Sequence, residues 1–284
     1  MIIDDSIKNP IINNKTFRKS LINYEAFYFG GDNKDRFIRY TKNNKKFYWK
    51  DKEIIYKFNN FGYRTNDDFN KERKGIITLG CSFTEGVGIP IDWLWGYKLS
   101  NKINLPLFNL GVGGSGIRDC FERLISFGDY LNYEYIFLLT PFPGRLSYYY
   151  KDNDFINQES WLKECMLQTD YINIMPWYPP KAKRMHNDFI KWMHILCNGS
   201  DYEQEMYQFV FLNLIESFCD SNGKKLITIS LQDIDDLYSK NPKMNEEIED
   251  YPARDREHWG SRKQHFIYEQ FLKKYEELNS NRTS

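Results

Sequence analysis

From residue 74 onward, short unbroken apolar runs alternate with longer stretches of mixed apolar and polar residues. Gly75-Ile-Ile-Thr-Leu-Gly80 is β-branched and glycine-bounded, which predicts a short buried strand. A helix follows near 92–104, a strand at 107–111, a helix near 116–130 and a strand at 133–140 with the run YEYIFLLT. After an interruption the rhythm resumes with a helix near 202–219, the strand Lys225-Leu-Ile-Thr-Ile-Ser230, a polar loop and a last helix near 261–278. Alternation of this kind predicts βαβ units and an α/β fold with a central parallel sheet. Two stretches stand outside it. Residues 1–73 are polar and turn-rich, with strand candidates at 46–49 and 53–58 that predict an N-terminal extension carrying a short hairpin. Residues 146–200 form an insert in the main domain, 74–284, marked by Tyr148-Tyr-Tyr150, the turn Pro176-Trp-Tyr-Pro-Pro180 and a basic segment through Arg184. Long inserts at the ligand edge of a sheet commonly supply binding loops.

Composition narrows the function. With 284 residues and 41% hydrophobic content the chain can bury a sizeable core. Lysine plus arginine and aspartate plus glutamate balance at 39 each, so no nucleic-acid partner is expected. The start, MIIDDSIKNPIINNKTF, has no apolar stretch of signal-peptide length, and no run approaches the roughly 18 apolar residues of a membrane span. The expectation is a soluble, cytoplasmic protein that does not enter a membrane. Cys81, Cys120, Cys165, Cys197 and Cys219 lack paired spacing, which predicts reduced buried thiols and no metal site. Aromatic residues reach 17%. Two readings of that excess stay open, sugar stacking and the Asn/Lys/Ile/Tyr bias of AT-rich coding.

Two glycine-rich turns follow two successive strands. The first, GCSFTEGVG, lacks the GK[ST] ending of a phosphate-binding loop. The second, Gly111-Val-Gly113-Gly114-Ser-Gly116, matches GxGxxG and keeps a dinucleotide site open. Against that site, the turn follows the second strand, and the next strand ends in Leu139-Thr140-Pro141 where a ribose-binding acid is expected. Ser82 stands just after the first strand, at the sheet edge where α/β proteins bind ligands. It can cap the following helix, sit in a turn, or act as a nucleophile, and a nucleophile needs a base. His186 and His194 lie in the insert and His265 within the last helix, positions suited to packing. His258 differs, because Asp255 precedes it by three residues. In a turn, that spacing brings the carboxylate to one imidazole nitrogen and leaves the other free. Thr84 stands where the nucleophile elbow of an α/β-hydrolase needs glycine, which excludes that motif.

These blocks resemble the SGNH (GDSL-type) hydrolase family. Gly80-Cys-Ser82-Phe-Thr-Glu-Gly86 is similar to its first block, Asn109-Leu-Gly-Val-Gly-Gly114-Ser to its second and Asp255-Arg-Glu-His258 to its last. Asn59-Asn-Phe-Gly-Tyr-Arg64 is similar to a stretch that precedes the first block in some members, so the resemblance covers about 59–278. It implies a three-layer, flavodoxin-like α/β fold and a serine esterase without cofactor. Ser82 would be the nucleophile, His258 the base and Asp255 its orienting acid, with the N–H groups of Ser82 and Gly114 as oxyanion donors. One block departs. The family places an asparagine donor after the third of these strands, whereas here Thr140-Pro-Phe-Pro-Gly-Arg145 puts Phe142 at that position. Arg145 and Thr140 are the candidates to replace it. The resemblance further implies a small-molecule or glycan ester as substrate, an O-acetylated carbohydrate in particular, with Trp177 and Tyr178 as stacking surfaces. A non-catalytic carbohydrate-binding module and an O-acyltransferase are the alternatives.

Overall fold

Ile76, Ile77 and Leu79 have almost no solvent exposure, and the strand they form is hydrogen-bonded on both sides. It is the centre of the computed structural model, which describes residues 18–44, 46–149, 171–174, 201–240 and 250–280. In chain order the main elements are β1 (Glu25–Ala26), α1 (Lys34–Asn43), β2 (Tyr56–Lys57), β3 (Gly75–Leu79), α2 (Ser82–Glu85), α3 (Trp95–Ile103), β4 (Leu107–Asn109) and α4 (Ile117–Phe127). Then come β5 (Tyr133–Thr140), β6 (Leu146–Tyr149), β7 (Tyr171–Ile174), α5 (Asp201–Ser221), β8 (Lys225–Ser230), α6 (Leu231–Lys240) and α7 (Ser261–Ser280).

The main sheet has the order β4-β3-β5-β8 and is parallel throughout. Side chains alternate across it with the two-residue period of a strand. Ile77, Leu79, Ile136 and Leu138 face a core completed by Cys120 and Leu124 of α4 and by Ile215 and Cys219 of α5. Ile76, Tyr135, Phe137 and Leu139 face a second core built from Trp95 and Leu99 of α3 and Phe266, Ile267 and Phe271 of α7. The result is the expected three-layer α/β fold. Because the chain passes from β3 out to β4 and then back over to β5, the strand order reverses beside β3. The crevice beyond the carboxyl ends of β3 and β5 is therefore the place where such sheets hold ligands. No described helix is long and apolar enough to cross a membrane.

Two elements differ from the sequence expectation. Residues 48–50 are turns, not a strand, and β2 pairs antiparallel with β1 instead. The aromatic run that suggested the strand puts Phe47 and Trp49 into a third core with Leu21, Phe29, Ile54, Tyr56 and Phe58. The stretch after β8, expected as a polar loop, is the helix α6. Its buried Leu231 and Ile234 are one turn apart, and the Ser230 hydroxyl accepts the Asp233 N–H at 2.9 Å as a cap.

Candidate active site

After Leu79 the chain makes a tight turn through Gly80 and Cys81 into the single-turn helix α2, whose first residue is Ser82. A Cβ on Gly80 would stand 2.1 Å from Thr84 Oγ1 and 2.9 Å from the Leu139 carbonyl, so only glycine lets the turn pass between β5 and α2. The Cys81 carbonyl accepts the N–H groups of Thr84 and Glu85, both at 2.9 Å. The Ser82 N–H, in the first turn of a helix, has no intrahelical acceptor. Neither that N–H nor the Ser82 hydroxyl makes a hydrogen bond to a described residue.

The second glycine turn lies against the first. A Cβ on Gly111 would be 2.6 Å from the Glu85 nitrogen, and one on Gly113 would be 3.8 Å from Ser82 Cβ. Glu85 joins the two turns, since its Oε2 accepts the Gly113 N–H at 2.7 Å while Oε1 pairs with Arg18 at 2.5 Å. Both members of that ion pair are 1% exposed. Arg123 of α4 spans the same turns, donating to the Ser115 hydroxyl at 2.9 Å and to the Gly80 carbonyl at 3.2 Å. Arg64 donates to the carbonyls of Gly86 and of Ile89, the latter at 2.6 Å, and its own carbonyl accepts from Asn109 Nδ2 at 3.1 Å. With these supports the turn leaves the Gly114 N–H without a hydrogen bond to any described residue.

The segment before α7 carries the Asp–His pair. Asp255 Oδ2 accepts the proton of His258 Nδ1, and Oδ1 accepts the backbone N–H groups of Glu257 and His258, each at 3.2 Å. Burial alone would raise the Asp255 carboxyl. The hydrogen bond and charge of His258, with the two N–H groups, outweigh it and hold the carboxyl below its ordinary value. His258 thus keeps Nε2 available. Its ring packs on Phe83, the residue after Ser82, with centroids 5.2 Å apart. Gln264 of α7 fixes this neighbourhood by donating to the Phe83 carbonyl at 3.1 Å and accepting the Trp95 N–H at 3.1 Å. No hydrogen bond joins Ser82 to His258; the link between their segments is the packing of Phe83, the residue after Ser82, on the His258 ring.

The depressed Asp255 carboxyl sets a pH window. A carboxylate whose pKa is lower in the folded state contributes stability above its unfolded value, about 3.9, and that contribution is lost as pH falls through the folded value. Thermal unfolding between pH 3 and 7 should show a steeper acid loss below about pH 4 in the wild type than in Asp255→Asn. Parallel curves would remove Asp255 from the acid response.

The remaining expected residues fall in different places. The Thr140 hydroxyl donates to the Ile229 carbonyl at 3.1 Å, within the β5–β8 pair. Arg145 is buried, its guanidinium carbon 5.7 Å from the Phe142 ring centre, and its carbonyl abuts Gly116, where a Cβ would come within 2.2 Å. His265 meets Glu269 at 3.3 Å and Lys98 at 3.4 Å on the helical face of α3 and α7. Trp177, Tyr178, His186 and His194 lie outside the described residues. Arg18, Arg123 and Gln264 belong to no motif in the sequence, whereas Glu85 lies inside the Gly80–Gly86 block. Among the supporting cations, only Arg64 falls in a motif, the Asn59-Asn-Phe-Gly-Tyr-Arg64 stretch.

No protein-family model and no curated protein matches the chain. Among solved structures it is similar to a member of the lipolytic protein G-D-S-L family from Veillonella parvula DSM 2008. The identity is 14%, over 70% of this chain and 97% of that one, with a TM-score of 0.33. It is likewise similar to the psychrotrophic esterase EstA from Pseudoalteromonas sp., at 14% identity over 72% and 98% of the two chains and a TM-score of 0.34. A third is the acetyl xylan esterase AlAXEase, at 18% identity over 70% and 98% and a TM-score of 0.30.

Proposed function

We propose that the chain is a serine ester hydrolase in which Ser82, His258 and Asp255 act as nucleophile, base and orienting acid. The observation that carries the reading is the Asp255–His258 hydrogen bond, packed on Phe83 beside a serine whose hydroxyl bonds to no described residue. His258 Nε2 takes the Ser82 proton as Oγ attacks the ester carbonyl, and Asp255 holds the tautomer that makes this possible. The tetrahedral oxyanion is held by the Ser82 and Gly114 N–H groups. Collapse expels the alcohol, which receives the proton from His258, and a water activated by the same imidazole then releases the acid. No step needs a metal or an organic cofactor.

Phe142 has no side-chain donor, so the third oxyanion contact falls to Arg145, which is buried beside Phe142 and against the glycine turn. The alcohol half of the substrate is proposed to be a carbohydrate, with Trp177 and Tyr178 as stacking residues on the strength of the aromatic excess. A fluorophosphonate probe followed by peptide mapping tests the nucleophile. Modification at Ser82, blocked by Asp255→Asn or His258→Ala, is the expected result. Failure of folded protein to react at Ser82 would favour the second reading that Phe142 supports, a binding module with little turnover.

A further inference from the structure

Four residues, each from a different segment of the chain, close a ring of hydrogen bonds next to the Asp–His pair. Asp32 is 1% exposed and follows a turn in which Phe29 and Asp32 exchange backbone hydrogen bonds. Its carboxylate accepts Arg254 Nε at 3.0 Å to each oxygen and Nη2 at 2.7 Å, and also the Tyr56 hydroxyl at 2.5 Å. Tyr56 in turn accepts the Gly88 N–H at 2.8 Å, and the Gly88 carbonyl accepts the Arg254 N–H at 2.7 Å. The ring runs Asp32, Arg254, Gly88, Tyr56 and back to Asp32.

Its position gives it a purpose. Arg254 is the residue before Asp255, and a Cβ on Gly88 would stand 2.8 Å from Asp255 Oδ1. On the other side, a Cβ on Gly31 would stand 3.3 Å from Asp255 Oδ2 and 3.7 Å from His258 Cε1. The segment around Asp32 therefore forms a wall of the pair while its carboxylate grips the neighbouring arginine. Burial, then the charge of Asp32, raise the Tyr56 phenol well above its usual value, so it remains a neutral donor to the carboxylate. A buried ion pair of this kind contributes little net stability compared with apolar packing of the same volume, because desolvation offsets attraction. What it supplies is a fixed geometry.

We propose that Asp32 is a positioning residue for the Asp255–His258 pair, acting through Arg254 and the Tyr56–Gly88 link to hold the imidazole at the nucleophile. The proposal rests on the hydrolase reading of Ser82 and His258. Asp32 touches no reacting atom, so its loss should lower the rate of the chemical step and leave binding of a small ester unchanged.

The test compares wild type, Asp32→Asn and Tyr56→Phe in the full chain. Asparagine keeps one acceptor oxygen and removes the charge, while phenylalanine breaks the ring without changing charge. With p-nitrophenyl acetate, Asp32→Asn should lower kcat on the order of 10²-fold, the scale of a small misplacement of a catalytic group, with KM within about twofold. Tyr56→Phe should fall in the same direction by less. The second readout needs no activity. The proton shared by His258 Nδ1 and Asp255 gives a downfield proton resonance, assigned by its loss in Asp255→Asn, which should broaden or vanish in Asp32→Asn at unchanged circular dichroism. Unchanged kcat with an unchanged resonance in folded Asp32→Asn would overturn the proposal, as would unfolding of both variants, which would assign the ring to stability alone. A wild type that neither hydrolyses ester nor reacts with fluorophosphonate would defeat the hydrolase reading, and the resonance would still decide whether Asp32 positions the pair.

Discussion

Ser82→Ala should lower hydrolysis of p-nitrophenyl acetate by roughly 10⁴-fold or more, the scale on which loss of a nucleophile acts in a coupled triad. Stability should hardly change. The Ser82 hydroxyl makes no hydrogen bond to a described residue, and Cys81, not Ser82, occupies the N-cap of α2, so no helix cap is lost. Alanine is also at least as good a helix former as serine. Rate assays and urea denaturation on the same preparations separate the two effects. Equal turnover in wild type and variant would show that another group performs the chemistry, and a large stability loss would show that the serine is structural.

The largest expected effect on stability lies at Arg18. In Arg18→Met the long side chain still fills space near Phe29 and Phe58, whose ring centres lie 5.5 and 5.6 Å from the guanidinium carbon. What is lost is the countercharge of Glu85, which remains 1% exposed and would be left as an uncompensated buried carboxylate. Breaking a buried pair from one side costs about 3–5 kcal/mol. The double variant Arg18→Met/Glu85→Gln should recover part of that loss, because the buried charge is gone and glutamine can still accept the Gly113 N–H. Urea unfolding of the two variants and the wild type measures this. If the double variant is no more stable than the single one, the penalty does not come from the stranded carboxylate.

The parts of the molecule that the sequence discloses are those whose information is local. β3, β5 and β8 announce themselves as continuous apolar runs because parallel strands are covered on both faces. Asp255 and His258 are three positions apart, so a turn suffices to pair them, and Ser82 is placed by the end of its strand. The ring around Asp32 had no such signal. Its members sit at 32, 56, 88 and 254, and nothing periodic links a buried aspartate in one turn to an arginine more than two hundred residues later. The same holds for Arg18 and Glu85, which are 67 positions apart. The strand expected at 46–49 fails for a related reason, since Phe47 and Trp49 alternate as a strand would while serving a core approached through turns. Helix α6 does carry apolar residues at helical spacing, Leu231, Ile234, Leu237 and Tyr238, but Asp233, Asp235 and Asp236 between them give the stretch a polar character, and only Leu231 and Ile234 are buried.

The span of these contacts also governs the order in which the molecule can be built. Arg254 meets Asp32 across 222 positions, and Trp49 meets Pro252 across 203. Closing loops of that length is entropically slow compared with pairing β3, β4 and β5, whose partners lie much closer along the chain. During synthesis those three strands emerge and can associate while the segment carrying His258 does not yet exist. On the proposed hydrolase reading, a growing chain therefore holds Ser82 before His258 exists, and the contacts between the early N-terminal turns and the stretch before α7 are among the last to form. If the proposed roles hold, the site is complete only once the stretch carrying His258 has docked, so a chain that lacks this stretch should hold a serine unreactive to fluorophosphonate.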